Sequence, residues 1–362
     1  MAVTLADVAA HAGVSSATVS RVLNGNYPVA GPTRERVQQA VAELDYVVNG
    51  QARALAAATS DLVGVLVNDV ADPFFGLIAS ALQAEIGAGA AERGGGKLAV
   101  VCNTGGSPAA ELTYLTLLER QRAAGVVLTG GAVENAEHTA AVTARLARLA
   151  ASGTRIVLCG RPAPAPGDGE QLVTTVAFDN RGGARRLTEH LLSLGHRRIG
   201  QVTGPMERST TRHRLEGHRA ALAGYGLGPG TEPGAHAERL TVHGSYDRSS
   251  GYDAALELLR RDPALTAIVA ANDTVALGVC AALRDRGLSI PGDVSVAGFD
   301  DLPFSVDVSP ALTTVRIPLQ EAGARAGRLV MGRQAPPPGG VATIRTELMV
   351  RASTAPPSGT AR

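Results

Sequence analysis

Ser15, Ser16, Ala17, Thr18, Ser20 and Arg21 crowd side chains that are small or hydrogen-bonding, and one guanidinium, into a single short run. An arginine reads guanine bidentately, while hydroxyls contact bases or phosphates. The elements that must position these groups are two short helices and a turn. Thr4 caps the first helix, and Asp7, three residues on, completes an acidic variant of the capping box. Leu5, Val8 and Ala9 make its apolar face, and Gly13 supplies the permissive turn backbone. Ser15 caps the second helix, whose Val19, Val22 and Leu23 face inward. Its small polar outer face fits a DNA major groove. An ordinary helical hairpin inside a larger core is the alternative.

The string TLADVAAHAGVSSATVSRVLNG, residues 4–25, closely resembles the helix-turn-helix of the lac/gal repressor family of bacterial transcription regulators. The likeness continues through a third helix, with Thr33 near its start, to Leu44-Asp45-Tyr46 and a hinge-like segment, Asn49 to Ala56. It extends over nearly the whole chain. The resemblance implies DNA contacts from Thr4, Ser15, Ser16, Ala17, Thr18, Ser20, Arg21 and Asn24, and from Asn49, Ala52 and Leu55 of a hinge helix at 49–57. One departure is that Val47-Val48-Asn49 lacks the proline that usually precedes the hinge.

Bulk properties limit the function classes. The chain has 362 residues, 45% hydrophobic and only 3% aromatic, with no Trp. Two or three domains with cores of Ala, Val and Leu are expected. No basic segment precedes an apolar run at the N-terminus, and no apolar run reaches about 18 residues. A cytoplasmic location without a membrane anchor is expected. Cys102, Cys159 and Cys280 are widely spaced and odd in number, which fits thiols better than bridges. Net charge is +1 overall. In residues 1–60, Arg21, Arg34, Arg36 and Arg53 balance Asp7, Glu35, Glu43 and Asp45. A DNA-binding head is usually basic, so hydroxyls, backbone amides and helix N-termini must carry many phosphate contacts here.

After residue 60 the periodicity changes. Compact Val/Leu/Ile runs at 62–67, 98–102, 126–128 and 156–158 alternate with helical stretches at 74–93, 108–122 and 135–151. The Pro/Gly-rich stretch Arg161 to Gly169 reads as a connection between lobes. The alternation restarts with strands at 173–178, 199–203, 240–242, 267–270 and 294–298, interleaved with helices at 181–194, 211–225, 249–260 and 273–286. Such runs suit parallel strands buried on both faces. The fold class is therefore α/β with an N-terminal all-α head. Two doubly wound lobes are expected, and they resemble the periplasmic-binding-protein type that the family carries. The expected domains are a head at 1–58, a two-lobed effector-binding and dimerisation domain at 61–350, and a flexible tail at 351–362. No leucine heptad follows residue 350, so no tetramer-forming helix is expected.

Enzyme motifs are missing. Gly94-Gly95-Gly96-Lys97 lacks the spacing and the Ser or Thr of a phosphate loop and precedes a strand. No GxGxxG follows an expected strand, and neither H-E-x-x-H nor G-x-S-x-G occurs. His213 and His218 are five apart and do not share a helix face. No catalytic residue, metal or cofactor is assigned.

The family's effector cleft lies where strand C-termini point. By resemblance, Phe74 and Phe75 of Asp72-Pro73-Phe74-Phe75 form an aromatic element at its entrance, with a core role open for both. The segment Gly204 to Gly217 resembles one whose last Arg binds effector, which puts Arg214 in the cleft, and Tyr246 matches a ring that stacks on ligand. Asn272 and Asp300 follow strand ends and should point inward. One Arg, one Asp, one Asn and apolar rings suit a polyhydroxyl ligand; a structural Arg214–Asp300 ion pair is the other reading. Arg208 and Thr210 match positions used by a purine-responsive member, so a nucleobase effector stays open. Cys159-Gly160-Arg161 and Ile317 depart from patterns common among sugar binders. The resemblance implies a homodimeric regulator that acts as a repressor, binds a pseudo-palindromic operator and answers to a small-molecule effector, a sugar or glycoside. A sugar-binding transport receptor shares the lobes but has no use for residues 1–58.

Overall fold

The computed structural model describes residues 3–24, 28–46, 60–88, 97–163, 173–228 and 230–358. They fall into two compact units, 1–60 and 61–362.

The first unit holds α1 (Leu5–Ala12), α2 (Ser16–Asn24) and α3 (Gly31–Glu43). The capping box forms in both directions: Asp7 N–H donates to Thr4 Oγ1 at 3.3 Å, and Thr4 N–H donates to Asp7 Oδ2 at 2.8 Å. Gly13, at φ +64°, closes α1 in the left-handed region that a side chain would disfavour. Thr18 N–H then donates to Ser15 Oγ at 3.2 Å, which starts α2. Val8, Ala9, Ala12, Val19, Val37 and Ala40 make the buried centre. So small a core gives little burial energy, and a cap worth about 1 kcal/mol is a large share of the head's stability. His11 Nε2 lies 2.7 Å from Glu43 Oε2 and ties α1 to α3. The expected hinge helix, with Asn49, Ala52 and Leu55, lies outside the described residues.

The second unit alternates strands and helices. Its first part contains β1 (Leu62–Val67), α4 (Pro73–Gly87), β2 (Leu98–Asn103), α5 (Pro108–Arg120), β3 (Gly125–Thr129), α6 (Ala136–Ala151), β4 (Arg155–Cys159) and β5 (Val173–Phe178). The second contains α7 (Asn180–Ser193), β6 (Ile199–Thr203), α8 (Ser209–Gly224), α9 (Glu232–Arg239), β7 (Thr241–His243), α10 (Arg248–Arg261), β8 (Ala267–Ala270), α11 (Asp273–Asp285) and β9 (Ser295–Ala297). The closing part contains β10 (Thr314–Arg316), α12 (Leu319–Val330), β11 (Val341–Ile344) and β12 (Glu347–Met349).

One parallel sheet has the order β11-β5-β4-β3-β1-β2, the other β7-β6-β8-β9, and β10 pairs antiparallel with β12. Every residue of β3 is buried, as expected for a strand covered on both faces. The helix α12 packs on α4, and α7 packs on α8. A Cβ on Gly217 would strike the Arg181 carbonyl, so this glycine lets the α7 and α8 backbones touch.

Three sequence expectations are corrected. The stretch 161–169 does not join the lobes: β4 and β5 are parallel neighbours in one sheet, with Ile156 opposite Val173. Pro and Gly are turn signals in the sequence, but they do not tell where the chain goes next. The first crossover follows β5 instead, and the others follow β10 and β11. The tail begins later than residue 351. Ser353 is buried and donates to the Val296 carbonyl at 2.6 Å, while Arg351 Nη2 donates to Asp301 Oδ1 at 2.6 Å. Polar composition suggested fraying, but the groups that pin this segment lie 38 residues or more back in the sequence. The first lobe helix ends at Gly87, short of 93.

Candidate functional site

A cleft of about 420 Å³ opens between the two sheets. Its walls come from strand C-termini. Asn68 follows β1, Gly130 and Gly131 follow β3, Gly160 follows β4, and Asn180 follows β5 in one lobe-crossing step. Arg208 follows β6, Tyr246 follows β7, Asn272 follows β8 and Asp300 follows β9. All eight residues nominated from the sequence, Phe74, Phe75, Arg208, Thr210, Arg214, Tyr246, Asn272 and Asp300, line this one cavity.

Arg214 is the hub. Its Nη2 donates to Asp300 Oδ1 at 2.8 Å, Nε to Asn180 Oδ1 at 2.9 Å, and Nη1 to the Ala271 carbonyl at 2.5 Å. Its guanidinium lies 3.7 Å over the Phe299 ring. The structural ion pair therefore exists, and it also faces the cleft. Burial pushes the Asp300 carboxyl up to about 6, with Arg214 pulling it down and Asp72 adding to the rise. Asp300 is held at φ +106°, a conformation few side chains adopt. Behind it, burial and then the Asp300 charge raise Asp273, which accepts from Thr314 Oγ1 at 2.6 Å and Leu302 N–H at 2.7 Å.

Aromatic rings line the same cavity. Phe74 and Phe75 meet edge to face at 5.0 Å, and Phe74 meets Phe178 at 6.3 Å. Both also belong to the main core cluster, so the two readings offered for them hold together. Tyr246 is fixed by its hydroxyl, 2.6 Å from Thr211 Oγ1. Asn272 caps α11 through Oδ1, which accepts Val275 N–H at 2.8 Å.

Arg208 does not reach freely into the cavity. Its Nη2 donates to the Gly106 carbonyl at 2.5 Å and its Nη1 to the Gly131 carbonyl at 3.2 Å, which clasps one lobe to the other. Ser209 N–H donates to the Ala132 carbonyl at 3.0 Å, and Arg212 pairs with Glu134 at 2.7 Å. Arg161 turns away into a buried pair with Glu111, Nη1 to Oε1 at 3.0 Å and Nη2 to Oε2 at 2.5 Å. Burial alone would raise Glu111, but Arg161 and His138 outweigh it and hold it low. Ile317 is a core residue.

Sequence reasoning missed Asn180, Asn68, Phe178, Glu207 and Asp247, which also line the cavity. The strand-end rule that found Asn272 and Asp300 would have found Asn180.

In the helical unit, Ser15, Ser16, Ala17 and Arg21 are exposed along α2, and Thr18 and Ser20 are half-buried. Thr4 is exposed at the cap of α1, and Asn24 ends α2. A surface groove between α2 and α3 is lined by Ser15, Thr18, Arg21, Thr33 and Arg36. Residues 4–49 match bacterial regulatory proteins of the lacI family, and residues 188–354 match a periplasmic binding protein-like domain. The HTH-type transcriptional regulator GalR of Escherichia coli is 35% identical over 91% of this chain and 88% of its own. The chain belongs to the lacI family. Another member, the HTH-type transcriptional regulator MalR of Streptomyces coelicolor, is 36% identical over 99% of this chain and 98% of its own. Among solved structures, the lac repressor dimer bound to operator and the anti-inducer ONPF has a TM-score of 0.76 at 28% identity, covering 98% of this chain and 100% of that one. The CelR–cellobiose complex has a TM-score of 0.65 at 32% identity, covering 97% and 99%. This lacI-family chain is a DNA-binding transcriptional regulator with a helix-turn-helix head and two parallel-sheet lobes. Among the described residues no helix is long and apolar enough to cross a membrane, and no group of His, Cys, Asp and Glu could hold a metal.

Proposed function

We propose that this regulator is a homodimeric repressor, acting in the cytoplasm, whose cleft takes a carbohydrate effector. Residues 1–58 bind one operator half-site per subunit, with Arg21 on a guanine. The hinge at 49–57 inserts Leu55 into the minor groove, and residues 61–350 dimerise and sense the ligand. The carrying observation is that the Arg214–Asp300 pair, Tyr246, Asn272 and the Phe74–Phe75 wall share one cavity. Carboxylate and amides can clasp hydroxyls while rings cover the C–H face. The cellobiose complex of a relative supports the same ligand class. The commitment of Arg208 to two backbone carbonyls weighs against a purine contact there. The protein binds and signals without catalysing a reaction, as a ligand that favours one lobe arrangement shifts the population competent for DNA. Calorimetry of the full chain against sugars, glycosides and purines tests this reading, with operator footprinting alongside. A carbohydrate that binds and changes operator occupancy is the expected result. A purine that does both, with no carbohydrate binding, would overturn the effector class.

A further inference from the structure

The cleft is poor in available positive charge. Its lining holds five carboxylates, Asp69, Asp72, Glu207, Asp247 and Asp300, against two guanidiniums, Arg208 and Arg214. Asp300 neutralises Arg214 directly, and Arg208 is directed into the Gly106 and Gly131 carbonyls.

Helix N-termini are the other usual seats for a phosphate, and around this cavity the protein fills them itself. Asp72 Oδ1 accepts Phe74 N–H at 2.9 Å at the start of α4. Asp247 Oδ1 accepts Ser250 N–H at 2.7 Å at the start of α10. Asn272 caps α11, as described, and Asp179 Oδ1 accepts Gly182 N–H at 2.9 Å at the start of α7. The start of α8 lacks a side-chain cap, but Ser209 N–H meets the Ala132 carbonyl, and a Cβ on Gly131 would strike Thr210 Oγ1. That end is covered by the facing lobe.

What remains available is neutral. Asn180 and Asn272 are each only 4% exposed and line the cavity. Their oxygens are used by Arg214 Nε and Val275 N–H, and among the described residues their amide nitrogens have no hydrogen-bond partner. Two buried donors therefore face the cavity beside the acceptors Asp72 and Asp300. A hydroxyl both donates and accepts and can satisfy such a mixed set; a phosphate only accepts at its charged oxygens.

We infer that the cleft selects an uncharged polyhydroxylated ligand and rejects its phosphate ester, with the carboxylates at the cleft setting that choice. This rests on the carbohydrate reading above and narrows it to neutral sugars and glycosides, because like-charge contacts in a partly desolvated site carry a penalty of several kcal/mol. Neutral disaccharides and hexoses are compared with their 6-phosphate esters by calorimetry on the full chain. Nucleosides are compared with their 5′-monophosphates, and inorganic phosphate is the control. Whichever parent binds should exceed its ester by about tenfold or more, and added salt should narrow the gap. Asp69→Asn combined with Glu207→Gln, both at the exposed rim, should lower the parent-to-ester ratio. An ester that binds as tightly as its parent, or inorganic phosphate that raises the melting temperature, overturns the inference while leaving the carbohydrate reading standing. A nucleoside that binds in place of every sugar overturns the carbohydrate reading, and the charge rule is then read on the nucleoside pair.

Discussion

Asp300→Asn should make this protein more stable while removing its effector response. Asn copies the shape of a protonated Asp, still accepts from Arg214 Nη2, and tolerates the positive φ of +106° better than most residues. In the folded protein the carboxyl lies near 6 against an ordinary 3.8, raised by burial and by Asp72 beyond what Arg214 recovers. Because the folded value lies above the unfolded one, ionisation removes stability as pH rises from about 4 through about 6. Two units correspond to about 3 kcal/mol. The wild type should therefore trail the variant by under about 1 kcal/mol at pH 4 and by about 3 kcal/mol above pH 7. Relief of Asp273, which the Asp300 charge also raises, acts in the same direction. A charge-assisted hydrogen bond is worth about 1.5–3 kcal/mol, so effector affinity should fall by about 10–150-fold. Urea melts of both proteins across this pH range, with calorimetry at pH 7.5, supply the test. A variant that is less stable than wild type at pH 7.5 would show that the Arg214 attraction outweighs desolvation. A variant with unchanged effector affinity would remove Asp300 from the ligand's contacts.

Arg21→Ala should weaken operator binding by about 1–3 kcal/mol without changing effector affinity; an unchanged footprint and affinity would refute the guanine contact. Leu55→Ala should reduce specific binding and DNA bending together, read by circular-permutation gel shifts, and unaltered bending removes the wedge. The neutral head predicts a shallow salt dependence of operator binding, and a log–log slope near −10 would show many more cationic contacts. Arg161→Ala leaves buried Glu111 with only His138 beside it, 3.4 Å away, and should destabilise the lobe unit by about 3–5 kcal/mol, measured by calorimetric unfolding; a loss under about 1 kcal/mol would mean that His138 or water satisfies Glu111.

Much of this molecule could be read along the chain, because the signals were local. The Thr4–Asp7 capping box, the Gly13 turn and the Ser15 cap each act over four residues or fewer, and the structure places each where the sequence puts it. Strands such as Leu62–Val67 and Ala267–Ala270 were legible because burial on both faces demands unbroken apolar runs. Asn272 and Asp300 were legible because a polar residue just past a buried parallel strand reaches the cleft. Tertiary structure alone decided the rest. No local signal sends β5 beside β4, and the packing of α7 on α8 sets Asn180 against Arg214. Composition could not show that Arg208 clasps Gly106 and Gly131 or that Arg161 turns to Glu111, since a guanidinium's partner is set by what the fold brings within about 3 Å. Periodicity records which face of an element is buried, whereas the charge left available in a cleft depends on pairings between residues 34 to 102 positions apart.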